Sequence, residues 1–128
     1  MTESRPGRRI FATASLAMRP YDLDGPLQRE MSYAPLSHDS RSERGSYLMR
    51  MEPGAETIPH VHTCREEFLI LEGEAIEDDG TVLRRGDWIV YEAGTRHNTR
   101  TVTGCLLLGL DWDPPGTREP NRVNQPTS

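Results

Sequence analysis

The chain has 128 residues, a net charge of −5 and a pI near 5.3. That is length enough for one domain with a buried core, and too acidic a balance for the basic face that nucleic acid or an anionic membrane requires. All 15 basic residues are arginine, which excludes Schiff-base and lysine general-base chemistry.

Two cysteines, Cys64 and Cys105, are too few for a disulfide scaffold, so a reducing, cytoplasmic setting is expected. Residues 1–20 read as an N-terminal arm or edge segment. Arg8-Arg9 is like the start of a twin-arginine export signal, but the apolar run behind it ends at Arg19-Pro20, too short and too polar for one. No apolar run approaches the roughly twenty residues that span a bilayer.

A single domain is expected over 21–112, with loop-like composition from Tyr21 to Gly45. Strand character begins at Ser46–Met51 and stops at the turn Glu52-Pro53-Gly54. It returns in Phe68–Leu71 and Glu74–Glu77, turns at Asp78-Asp79-Gly80, and continues in Thr81–Arg84, Trp88–Tyr91, Thr95–Val102 and Cys105–Trp112. The proline-rich tail 113–128 is expected to be extended or disordered. Short strands parted by glycine turns at spacings near ten residues predict an all-β sandwich or barrel with little helix. Phe68–Leu71 is apolar on both faces, so its outer face needs a cover, and a homodimer packed through that face is expected.

His60 and His62 lie two residues apart at a strand or its entry and so share a face. A carboxylate follows a few residues later, and His97 comes from a distant strand. Three imidazoles and one carboxylate suit one divalent transition metal: Fe(II), Zn, Mn, Ni, Co or Cu. In an octahedral ion such a set leaves two open positions, the mark of a reactive site. His38 has no such company.

Gly54-x5-His60-x-His62-x3-Glu66-x6-Gly73 fits the first motif of the cupin superfamily, and Gly86-x7-Gly94-x2-His97 fits much of the second. Residues 46–112 carry this resemblance. Glu66-Glu-Phe-Leu-Ile-Leu-Glu-Gly-Glu, with Asp78-Asp79-Gly80 and Gly86 behind it, is most similar to the cupin domain of ChrR-type anti-sigma factors and their free-standing relatives. The resemblance implies a double-stranded β-helix, the cupin jelly-roll barrel, with a metal held in its mouth by His60, His62, Glu66 and His97 and Fe(II) favoured. Glu66 is preferred to Glu67 on its interval to Gly73, and Glu67 stays open as the alternative. Two positions depart from the pattern: Glu92 stands where the second motif has proline, and Thr101 where it has asparagine. The ChrR-type regulator's N-terminal zinc-binding helical domain has no counterpart here, and a stand-alone cupin is expected.

The resemblance implies a metalloenzyme acting on a small molecule, such as an Fe(II)-dependent dioxygenase. The alternative is a non-catalytic metal cupin of ChrR type that senses a ligand or an oxidant. Tyr47, Met49, Met51, Phe68, Ile70 and Tyr91 are candidates to line the pocket, with core packing as the competing reading for the first three. Trp88 and Tyr91 lie on opposite strand faces, so at most one looks inward. The acidic run from Glu72 to Asp79 reads as a solvated hairpin face, Cys64 as a small loop residue or a redox-sensitive neighbour of the site, and Cys105 as a buried small hydrophobe. Arg50 and Arg96 read as exposed. No independent general base stands out.

Overall fold

A computed structural model describes residues 5–22 and 28–116, and for Arg29 and His60 the backbone alone. The rest of the predicted tail, 117–128, lies outside the described residues. The strands are β1 (Arg19–Tyr21), β2 (Gln28–Pro35), β3 (Gly45–Met51), β4 (His60–Val61), β5 (Arg65–Glu77), β6 (Val82–Arg84), β7 (Trp88–Tyr91), β8 (Arg96–His97), β9 (Thr99–Arg100) and β10 (Cys105–Trp112). Helix among the described residues is one 3-10 turn at Thr13–Ser15. No helix among them is long and apolar enough to cross a membrane.

The main sheet is antiparallel and runs β1-β2-β3-β10-β5-β6, with β7 and β9 also paired to β5. β4 and β8 form a separate pair that sets His60 opposite His97. The sheet curls around one core built from alternate residues: Met31 and Tyr33 of β2, Tyr47, Met49 and Met51 of β3, Phe68 and Ile70 of β5, and Leu107 of β10. The loop expected over Tyr21–Gly45 is corrected by β2. Its alternation is carried by only Met31 and Tyr33, with glutamine at one end and proline at the other, and so is too short to register as a periodicity.

β5 is the longest strand, with 13 residues. Leu106 pairs with Glu72 and Leu107 with Ile70, so Leu71 is left without a partner as a β-bulge. The bulge reverses the parity of the strand: Phe68 and Ile70 face inward before it, Ala75 and Glu77 after it. Gly73, just beyond, has φ 77°, and a Cβ placed there would come within 2.1 Å of the Gly104 carbonyl oxygen. On the outer face Leu48, Leu108, Leu69 and Trp88 fall in one row across four strands.

Candidate metal centre

Backbone pairing brings the site together. His97 is on β8, and His62 follows β4, held to the segment before β8 by its N–H on the Thr95 carbonyl (3.2 Å) and by the Gly94 N–H on its own carbonyl (2.8 Å). Glu66 is the second residue of β5 and faces inward with Phe68. Nε2 of His62 and Nε2 of His97 stand 2.6 Å apart, and Oε1 of Glu66 is 2.9 Å from the first and 3.2 Å from the second. Two donors at right angles, each roughly 2.0–2.2 Å from one ion, are about 3 Å apart. The three separations bracket that value, so the donor set fits one face of a six-coordinate ion. These are the residues, among those described, whose donor atoms could hold a metal. The His60 side chain lies outside the described structure, while its backbone is registered against His97.

Glu77 was not singled out by the sequence; Glu72, Glu74, Asp78 and Asp79 are exposed, as a solvated hairpin face requires, and Glu77 alone departs from that reading. It is 4 % exposed and accepts hydrogen bonds from His97 Nδ1 (2.8 Å), from the Tyr91 hydroxyl and from the Thr99 hydroxyl. A histidine whose Nδ1 proton is held by a buried carboxylate presents the Nε2 lone pair to an ion. The Tyr91 ring stacks on His97 at 4.0 Å and 15° and fixes the imidazole plane. Glu77→Gln is therefore expected to weaken metal affinity by about 10–100-fold, read by competition with a chelating dye. An unchanged affinity would remove Glu77 from the site.

Burial alone would raise the Glu66 carboxyl, but hydrogen bonds from His62 and His97 and their charge bring it down to about 2. Burial would lower His97, but its hydrogen bonds to Glu66 and Glu77 raise it to about 9. The sign for the metal-free protein follows. The glutamate's contribution to stability is complete above its ordinary 4.5 and lost as pH falls through 2. That of the histidine is complete below its ordinary 6.5 and lost as pH rises through 9. A chelator-treated sample should have its highest Tm between pH 4.5 and 6.5, falling on the alkaline side; a Tm that climbs from pH 7 to 9 would contradict the pairing.

Of the two adjacent glutamates, Glu66 meets the histidines and Glu67 points out, where Nε1 of Trp88 (2.8 Å) and Nε1 of Trp112 (2.5 Å) donate to its carboxylate. Tyr47 is buried and its hydroxyl donates to Glu66 Oε2 at 3.2 Å. Tyr47, Met49 and Phe68 border a small recess beside Glu66 and His97. Met51 and Ile70 are core residues that line neither this recess nor the larger cavity at the cluster. Tyr91 reaches the site through Glu77 and His97, while Trp88 is exposed. Glu92 is turned to solvent and paired with Arg65 at 3.0 Å. Thr101 is buried, its hydroxyl donating to the Glu74 carbonyl (2.6 Å) and accepting from the Gly104 N–H (2.9 Å).

A cavity of about 220 Å³ opens beside His62 and Glu66 and is lined also by Tyr21, His38, Tyr47 and Asp111. His38 thus has the company its sequence neighbours did not suggest. Cys64 is buried on the same wall, where burial and then the nearby Asp111 push its thiol up to about 11, far from a reactive thiolate. Both cysteines are free.

A curled antiparallel sheet with a histidine–glutamate cluster at one mouth is the cupin arrangement. The chain belongs to the ChrR cupin-like domain family, whose profile matches residues 23–112. Comparison with curated protein sequences gives no match. Among solved structures, the chain is similar to the polyketide cyclase RemF from Streptomyces resistomycificus, with 21% identity and TM-score 0.66 over 84% of this chain and 82% of that one. It is also similar to an RmlC-like cupin from Shewanella frigidimarina, with 16% identity and TM-score 0.65 over 86% and 95%. A third similar chain comes from the complex of Rhodobacter sphaeroides SigE with the anti-sigma ChrR, with 18% identity and TM-score 0.62 over 83% of this chain and 52% of that one. At these identities the likeness is one of fold.

Proposed function

We propose that the chain is a metal-dependent cupin in which His60, His62, Glu66 and His97 hold one divalent transition metal, Fe(II) in the first instance, for dioxygenase-type chemistry on a small organic molecule. The observation that carries this reading is the triangle of donors at 2.6, 2.9 and 3.2 Å beside a cavity of about 220 Å³. When bound, a metal of this kind supplies Lewis acidity toward a ligand oxygen and, as Fe(II), electrons for dioxygen. The rest is done by the chain. Glu77 fixes the His97 tautomer, the Tyr47 hydroxyl steadies the second oxygen of Glu66, and Tyr91, itself stacked on Phe68, holds the plane of the His97 ring.

The test is oxygen uptake by Fe(II)-loaded protein offered diketones, thiols and phenolic acids. Uptake with one class is expected; persistent zinc with no turnover would overturn the enzyme reading. A second reading, a non-catalytic sensor that passes a signal to a partner, draws on the family relation to ChrR, a protein solved as a complex with SigE. In either case we infer a homodimer through the outer sheet face, where Leu69 and Leu108 are half-buried and Trp88 and Val90 exposed. A cytoplasmic setting suits the two free thiols.

A further inference from the structure

We propose that the cavity contains a second subsite, made by His38 and Asp111, that receives a hydroxyl group, so that the ligand of the centre is a small hydroxylated organic acid. The inference deepens the metal reading above and rests on it only for the acid end of the ligand.

Three observations carry it. The His38 side chain is 5 % exposed, yet its Nε2 stands 3.9 Å from Asp111 Oδ2, beyond hydrogen-bond distance, and neither ring nitrogen has a hydrogen-bond partner among the described residues. Neither nitrogen is among the buried atoms left unsatisfied, so both are open to the cavity, where a ligand can take the place of solvent. The ring is also held in place: the His38 backbone N–H donates to the Ser46 carbonyl (3.1 Å), the Asp39–Arg44 bridge closes the hairpin behind it, and its ring packs edge-on against Tyr47 at 5.7 Å and 86°. Finally, the pair belongs to the same cavity as the metal donors. Asp111 is registered directly opposite Glu66 across β10 and β5, and Tyr47 touches His38 with its ring and Glu66 with its hydroxyl.

The separation selects the chemistry. One oxygen atom placed roughly 2.8 Å from each group fills a gap of this size. A hydroxyl suits both walls, because it can donate to the Asp111 carboxylate and accept from an imidazole N–H at Nε2. A carboxylate there would face Asp111 with like charge, and a methyl group would satisfy neither. The anionic end of the ligand is therefore assigned to the metal donors, one tyrosine ring away, and the hydroxyl end to His38 and Asp111.

Calorimetric titration of the metal-loaded protein with benzoate, 3-hydroxybenzoate and 4-hydroxybenzoate tests this, since the three differ by one hydroxyl and its position. One hydroxybenzoate isomer is expected to bind about ten-fold or more tightly than benzoate. His38→Phe and Asp111→Asn should each abolish that preference while leaving benzoate affinity and metal content unchanged. His38→Gln provides a folded alternative if phenylalanine is not accommodated. Equal affinity for all three acids in the unmodified protein, or a preference that survives both substitutions, overturns the subsite. Loss of metal in the His38 variants overturns it too, by making His38 a ligand. Titration after chelation separates the two readings: a hydroxyl preference that persists with benzoate affinity unaffected supports the subsite and sinks the metal reading.

Discussion

Alanine at both His62 and His97 is expected to leave the purified protein with no stoichiometric divalent metal. Each residue contributes a neutral nitrogen to the triangle with Glu66, and a single carboxylate oxygen with one further imidazole does not retain a transition ion through purification. Removing His97 alone has a second effect, because Glu77 then loses its strongest partner in a buried place. His62→Ala is the cleaner single variant: it takes one donor away and leaves the Glu77–His97–Thr99 network whole. Metal content by mass spectrometry reads the outcome directly. A parallel Tm series with and without chelator should show stabilisation by metal in the unmodified protein and none in the double variant. Stoichiometric metal in that variant would refute the site.

Gly73→Ala is expected to destabilise the fold by on the order of 3 kcal/mol or more, a Tm drop of roughly 10 °C or beyond. Two costs combine. An L side chain at φ 77° is disfavoured, and its Cβ would lie 2.1 Å from the Gly104 carbonyl oxygen and 2.9 Å from Cys105 Cα. Both neighbours are backbone of the partner strand's entry, so neither can swing aside as a flexible side chain would. Gly80→Ala is the control: its φ is 89°, but nothing lies within 4 Å of the added carbon. It should cost only the conformational part. Equal losses at the two positions would show that the close approach at Gly73 is not what matters.

The contrast between those two glycines mirrors what could and could not be read from the residues. The interval to Gly73 favoured Glu66 and left Glu67 open; in the fold Glu66 faces His62 and His97, while Glu67 meets the two tryptophans. Alternation in Tyr47, Met49 and Met51 marked a buried strand face, and each is below a tenth exposed. Glu77 escaped because a strand read at constant period two puts it on the side of Leu69 and Leu71. Only the bulge at Leu71, a property of how β5 pairs with β10, moves it inside. His38 escaped for a different reason. Its neighbours in the cavity are Tyr47 and Asp111, the latter far along the chain, and the curl of the sheet rather than any local spacing brings them together.

Glu67 has a further use. The chain contains two tryptophans, and the indoles of both donate to that one carboxylate, next in sequence to Glu66 on β5. Trp112 also carries the Arg65 guanidinium over its ring at 5.4 Å. All intrinsic indole fluorescence of the protein therefore originates on the outer side of the strand segment whose inner side bears the glutamate of the site. The emission maximum and near-ultraviolet dichroism form a built-in optical gauge of that segment, readable without a label and without knowledge of the substrate.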